Sequence, residues 1–474
     1  MREMNFQKLG LILGPVLFSV IYFMEELTGL ADAPRAVLAV TAWVAIWWIS
    51  EAMPIPATSL LPVFLLPLTG GTDQETATMA YGDPIVFMYM GGFIIALAIE
   101  KWNLHKRIAM LIIALIGKSC SRIILAVGVA TAVLSMWISN AATALMMLPI
   151  ALALTTEIKE KELLDEDSFH NFSKGLLLTV AYSASIGGLA TIVGSVPNAA
   201  LVAVANNMLD VEITFSDWFV FGLVVTILLM TFMYFYITKV QFKIAQDKNI
   251  SSDFAREQLK ELGAMSREEK YVLAIFFIVG FMWIFGGLLP WSLSDTTISI
   301  FGASAMFLIP SSKGGRILEW PDMKNLSWGL LLLFGGGLSL AAAFEDSGLT
   351  SWFGELLTNL EQFNYFYIVV ILTVTILFMT EIMSNTAISN MLMPISVGLA
   401  AGIGVEPYGI MAIVALASSC AFMLPISTPP NAAVFGSGEL KINDMIKTGF
   451  WLNVFSVVVI VLVVYLLQPV LLSF

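Results

Sequence analysis

The stretch Ser135-Met-Trp-Ile-Ser-Asn-Ala-Ala-Thr-Ala-Leu-Met-Met-Leu-Pro149 returns later in the chain as Thr380-Glu-Ile-Met-Ser-Asn-Thr-Ala-Ile-Ser-Asn-Met-Leu-Met-Pro394. Each copy sets a Ser-Asn pair inside an apolar run and places a proline ten residues after the serine, Ser139 to Pro149 and Ser384 to Pro394. One such cluster is explained equally well by polar side chains gluing membrane helices together. Two matched clusters, each followed by a second matched motif, favour a polar site assembled from two halves, the pattern of a secondary transporter built as an inverted repeat.

The surroundings of these clusters are membrane-like. The 474 residues are 58% hydrophobic and only 12% charged, with mean hydropathy +0.87, against roughly 25% charged in a soluble domain. The expected fold is an all-α polytopic membrane protein. Cys120 and Cys420 match no metal or redox spacing and read as packing residues. The basic residues form no face for nucleic acid. Arg2 and Lys8 precede an apolar run from Leu9 to Met24 that is followed by Glu25 to Thr28 rather than by a small-residue cleavage site. This reads as a retained first span.

A spanning helix needs about 20 apolar residues. Candidate spans are 9–29, 36–52, 56–71, 84–100, 175–208, 217–238, 270–290, 296–311, 326–344, 407–436 and 446–472, eleven in all. The two segments carrying the Ser-Asn motifs, 122–156 and 364–404, are too long for one span and are interrupted by polar residues, so they read as re-entrant hairpins. With the N-terminus inside, the first hairpin opening inward and the second outward, all of the 23 Lys and Arg residues except Arg35 fall on the cytoplasmic side. The C-terminus then lies outside. Residues 101–120 and 346–362 read as interfacial helices, 239–270 as a cytoplasmic linker, and His105 and His170 as surface residues.

The second pair of motifs consists of helix breaks, Gly194-Ser-Val-Pro-Asn198 and Ser427-Thr-Pro-Pro-Asn431. A proline inside an apolar span frees carbonyls, and freed carbonyls with Ser, Thr and Asn oxygens suit a small hard cation. Half-helix ends add their dipoles, the N-termini favouring anions and the C-termini cations. No Lys, Arg or His occurs in 123–158, 175–238 or 325–440. An anion bound here must be balanced by dipoles and co-bound cations, because a buried uncompensated charge is costly. Glu381, inside the second hairpin, is open to two readings: a functional intramembrane carboxylate or a structural clamp on backbone groups. The halves echo again in Met90-Gly-Gly-Phe93 and Phe334-Gly-Gly-Gly337, where glycines permit close helix packing.

On Ser139-Asn140, Ser384-Asn385-Thr386, the two Pro-Asn breaks, Ala181 to Gly188 and Ser419 to Pro425, the chain resembles the divalent anion/sodium symporter family, the INDY-type dicarboxylate carriers, over nearly its whole length. The resemblance implies an elevator-type homodimer with a fixed scaffold and a mobile transport domain. It divides the chain into 1–121 (scaffold), 122–238 (first half of the transport domain), 239–270 (linker), 271–363 (scaffold) and 364–474 (second half). It implies a first sodium site at Ser135, Ser139, Asn140 and Gly194, and a second at Thr380, Met383, Asn385 and Ser427. The implied substrate contacts are Ser139, Asn140, Ser195, Ser384, Asn385, Thr386, Thr428 and Pro429. Ala141 stands where the family commonly has threonine, and Val196 where it often has proline.

These readings together point to a sodium-coupled importer of C4-dicarboxylates such as succinate, malate and fumarate, carrying at least two sodium ions. The alternative is a sodium-independent dicarboxylate exchanger on the same fold. An intramembrane enzyme is disfavoured: there is no HExxH, no cysteine pair, and no Lys or His near either Ser-Asn motif.

Overall fold

The computed structural model describes residues 2–24, 29–244, 253–286 and 293–468. Glu25 to Thr28, which follow the first apolar run, and the C-terminal residues 469–474 lie outside the described residues. So does 245–252 of the linker. Among the described residues the chain is helical throughout, with one isolated bridge between Pro310 and Arg316 and no strand.

The first half begins with α1 (Arg2–Phe23) and α2 (Asp32–Ser50), which pack together. The 56–71 stretch divides into α3 (Ile55–Thr58) and α4 (Leu61–Thr69), two short helices rather than one continuous span. After α5 (Gln74–Met79), Asp83 caps α6 (Pro84–Lys101) by accepting from Ile85 N at 2.8 Å. Asn103, at φ +56, turns the chain into α7 (Leu104–Ile116).

Helices α8 (Cys120–Ser135) and α9 (Asn140–Glu160) follow, separated only by the motif tip at 136–139. Then come α10 (Glu166–Gly188), the break, α11 (Val196–Leu209) and α12 (Phe215–Phe235).

The linker contributes α13 (Asp253–Glu261). Beyond it lie α14 (Arg267–Phe285), α15 (Asp295–Leu308), α16 (Trp328–Asp346) and the short α17 (Leu349–Leu357). The second motif separates α18 (Tyr365–Thr380) from α19 (Asn385–Ile403). The second break separates α20 (Pro407–Ser418) from α21 (Pro429–Gly436), and α22 (Ile442–Leu466) closes the described chain.

Among the described residues seven helical stretches are long and apolar enough to cross a bilayer: Asp32–Ser50, Gln74–Lys101, Asn140–Glu160, Phe215–Gln241, Trp328–Asp346, Asn385–Ile403 and Ile442–Leu466. The other apolar helices are shorter, of 10–17 residues, Cys120–Ser135 and Tyr365–Thr380 among them. Large apolar side chains such as Phe277, Phe281 and Leu462 stand exposed on the outer surface, 62%, 54% and 50% respectively. An outer surface this apolar suits lipid rather than water.

One histidine corrects the sequence reading. His105 is buried, with Nδ1 3.2 Å from Ile99 O, whereas His170 is exposed as expected. Helix α13 packs on α7. Its neighbour Arg107 is drawn in as well, pairing with Glu269 at 2.7 Å and donating to Gly263 O at 3.0 Å.

The glycine pairs pack as expected. At Gly91 a β-carbon would meet the Ser299 backbone, and at Gly336 the Ser59 backbone. Helices α6 and α16 therefore sit close against their neighbours.

Candidate functional site

The site lies where the two motif tips meet the two breaks, and its packing is reciprocal. The second arm of the first hairpin, α9, rests on the post-break helix α21 of the second half. The corresponding arm α19 rests on the post-break helix α11 of the first half. Each motif arm thereby packs on the post-break helix of the opposite half, while each tip bonds to the break of its own half. Ser195 Oγ and Ser419 Oγ meet at 3.0 Å across this junction, and the rings of Tyr182 and Phe422 pack edge-on at 5.3 Å.

The bonding at each tip repeats. In the first, Ser135 Oγ lies 2.7 Å from Asn140 Oδ1 and 2.6 Å from Ala184 O. In the second, Thr380 Oγ1 lies 2.5 Å from Asn385 Oδ1 and 2.8 Å from Ser418 O. A hydroxyl has one proton to give, so it cannot satisfy both acceptors, and each tip concentrates oxygen atoms.

The Asn140 amide can answer this in two ways. With Nδ2 turned inward it donates to Ser135 Oγ at 2.7 Å, Ala184 O at 3.0 Å and Gly194 O at 3.2 Å. Turned the other way, Oδ1 faces the same oxygens, and a cation among them is what relieves the repulsion. The donor set of hydroxyl, amide and carbonyl oxygens fits a hard monovalent cation rather than a soft metal. Among the described residues no cluster of His, Cys, Asp or Glu capable of holding a metal occurs.

Gly194 belongs to this grouping. A β-carbon there would lie 2.7 Å from Gly188 O and 3.0 Å from Ser135 O. Ser135, Asn140 and Gly194, expected together from the sequence, are thus in mutual contact. Ser139 heads α9, its Oγ accepting from Ala142 N at 3.4 Å. Ser384 heads α19 with no side-chain cap of its own. Asn385 and Thr386 follow it in the first turn of α19, partly exposed like Ser384.

Of the remaining second-half residues, Thr380 and Asn385 touch directly. Ser427 instead donates to Leu424 O at 2.5 Å and lies 3.4 Å from Asn431 Nδ2. Thr428 caps α21 through Asn431 N at 3.3 Å, and Pro429, at the first turn of that helix, is exposed. Met383 lies partly exposed at the tip.

Glu381 resolves in favour of the clamp. Its Oε1 accepts from Phe422 N at 2.7 Å, Met423 N at 2.9 Å and Asn453 Nδ2 at 2.6 Å, and its Oε2 from Met423 N and Leu424 N at 3.1 Å each. The first half has Met136 at this position. There Thr191 does the equivalent work, its Oγ1 donating to Met136 O at 2.5 Å and accepting from Gly194 N at 2.9 Å.

Sequence reasoning gave no individual role to Ala184 and Ser419, which lie in the stretches that carry the family resemblance, and missed Ser418, Thr191 and Tyr89, whose hydroxyl donates to Ser195 O at 2.8 Å. The first tip is seated against α14 and α12: Trp137 stacks parallel to Trp283 at 6.3 Å and to Phe215 at 5.9 Å.

A family model described as the sodium:sulfate symporter transmembrane region matches residues 5–474. The chain belongs to the divalent anion/sodium symporter family. Its relatives in that family include the sodium-dependent dicarboxylate transporter SdcS of Staphylococcus saprophyticus, 42% identical over 476 residues, covering 98% of this chain and 92% of the relative. SdcS of Staphylococcus aureus strain USA300 is 42% identical over 481 residues, with the same coverage.

Among solved structures, the fold is similar to the YdaH transporter of Alcanivorax borkumensis (TM-score 0.59, 12% identity, 90% of this chain and 97% of that one). It is also similar to Neisseria gonorrhoeae MtrF (TM-score 0.53, 10% identity, 84% and 83%). As a divalent anion/sodium symporter family member the protein is a multi-pass membrane transporter and not an enzyme.

Proposed function

We propose that the protein is a sodium-coupled symporter that imports C4-dicarboxylates, such as succinate, malate and fumarate, across the cytoplasmic membrane. The observation that carries this reading is the paired oxygen-rich tip. Ser135, Asn140 and Gly194 meet at one tip and Thr380 and Asn385 at the other; in our reading Ser139 joins the first group, and Met383 and Ser427 the second, to make the two sodium sites. With no Lys, Arg or His in 123–158, 175–238 or 325–440, two sodium ions are the natural counter-charge for a dianion. The names of the SdcS relatives support the same substrate class and ion.

The dianion is held by the Ser139, Asn140, Ser384, Asn385 and Thr386 side chains at the starts of α9 and α19, with Ser195, Thr428 and Pro429 at the starts of α11 and α21. Both motif helices direct their N-terminal dipoles toward it. Binding is ordered by charge: sodium ions in the two tips make the site attractive to a carboxylate, and a site holding sodium alone is electrostatically incomplete.

The two halves form an inverted repeat. Residues 122–238 and 364–474 move together as an elevator against a scaffold of 1–121 and 271–363, in a homodimer whose N-terminus is cytoplasmic and C-terminus outside. The test is a sodium titration of succinate uptake by the reconstituted protein. Steep dependence on sodium, lost in Asn140→Ala and Asn385→Ala, supports symport; sodium-indifferent uptake that requires internal dicarboxylate contradicts it and identifies an exchanger.

A further inference from the structure

Both breaks contain an asparagine that no cation or substrate assignment above uses. Asn198 is fully buried, and its Nδ2 donates to Gly188 O at 3.1 Å, Leu189 O at 3.3 Å and Thr191 O at 2.8 Å. Asn431 is equally buried, and its Nδ2 donates to Ala421 O at 3.2 Å and Leu424 O at 3.0 Å and approaches Ser427 Oγ at 3.4 Å. The acceptors sit at matching offsets, ten and seven residues before the asparagine in each half. In both residues Oδ1 is buried without a hydrogen-bond partner.

A buried amide oxygen left unsatisfied is unfavourable, so each asparagine is held here by what its NH2 group does. A helix break releases carbonyls that must find donors. If they find none, they become surplus ligands beside the cation sites. The anchored Gly188 carbonyl lies next to Gly194, and Gly188 itself abuts the Asn140 amide. The anchored Leu424 carbonyl and Ser427 Oγ lie on the second break beside the Glu381 clamp.

We infer that Asn198 and Asn431 are positioning residues for the two cation sites. Each holds a fixed set of break carbonyls in place and thereby sets which oxygens are presented to sodium, and at what spacing. This inference rests on the sodium-coupled reading, but it concerns ion binding and not the identity of the anion.

The test therefore reads sodium directly. Purified protein is heated in sodium or potassium chloride at constant ionic strength, and the sodium needed for half of the thermal stabilisation is recorded. Removing a group that orients metal ligands typically weakens metal affinity tenfold or more. Asn198→Ala and Asn431→Ala are each expected to raise the half-saturating sodium concentration about tenfold and to change the sodium-to-lithium preference.

Asn198→Ser and Asn431→Ser, which keep one donor, give smaller shifts in the same direction and serve if the alanine variants are not recovered. Asn207→Ala, on the same helix α11 but bonded to Asp83 at 2.9 Å, leaves the sodium titration unchanged.

A lowered melting temperature with the same half-saturating sodium and the same lithium preference overturns the inference and makes both residues merely structural. Failure of succinate as substrate appears in uptake and leaves this titration readable. Absence of any sodium stabilisation in the wild type overturns both readings.

Discussion

Glu381 shows how a residue type can be legible while its work is not. Its carboxylate receives five hydrogen bonds from four N–H donors, which saturates an acceptor-only group. In Glu381→Gln, one acceptor becomes an NH2 pointed at N–H groups that are already donors. Hydrogen bonds to a charged group contribute roughly 1.5–3 kcal/mol each. The variant is therefore expected to melt at least several degrees lower in detergent and to lose most uptake; an unchanged melting curve would remove the clamp. Asn140→Asp fixes oxygen toward Ser135, Ala184 and Gly194. It should need less sodium for half-saturation and turn over more slowly, measured as uptake rate against sodium. Ser139, Asn140, Ser384 and Asn385 were readable because the chain writes them twice. The carbonyls of Ala184 and Ser418 were not, since each meets its hydroxyl across 38 to 49 residues of chain and carbonyls have no sequence signature. His105 was misjudged for a similar reason, because its partner is a carbonyl, that of Ile99.

At the scale of elements, the breaks and tips depend on backbone approaching backbone. Gly222 on α12 lies against Leu189 and Ala190 of the first break, and Gly449 on α22 against Phe422 and Met423 of the second. Glycine is required at such contacts because there is no side chain that could yield. Gly194→Ala places a methyl group among the Gly188 and Ser135 backbone atoms, 2.7 to 3.0 Å away. Overpacking of this kind costs about 1–3 kcal/mol, and here the strain falls on a cation site. Sodium-dependent uptake should fall more sharply than expression, compared by immunoblot and transport assay on the same vesicles. The helical arms and the breaks were predictable from length, proline and polar interruption. The division of 56–71 into α3 and α4 was not fully so, because an apolar run of that length is long enough for one short span and Pro56 and Pro62 mark a break only in context.

For the whole molecule, composition marks a membrane protein, the distribution of Lys and Arg predicts its orientation, and the structure adds the reciprocal packing of the two halves. Orientation is testable with single cysteines in a background lacking Cys120 and Cys420. Lys161→Cys, in the turn after α9, should react with an impermeant maleimide only in inside-out vesicles, and Glu361→Cys only in right-side-out vesicles. The central claim is coupling of dianion entry to sodium. Its most direct measurement is uptake of radiolabelled succinate into proteoliposomes that contain no dicarboxylate, with an inward sodium gradient or with potassium in its place. The account predicts concentrative uptake in sodium and background uptake in potassium. Equal uptake in both salts, appearing only when the vesicles are preloaded with dicarboxylate, would contradict it.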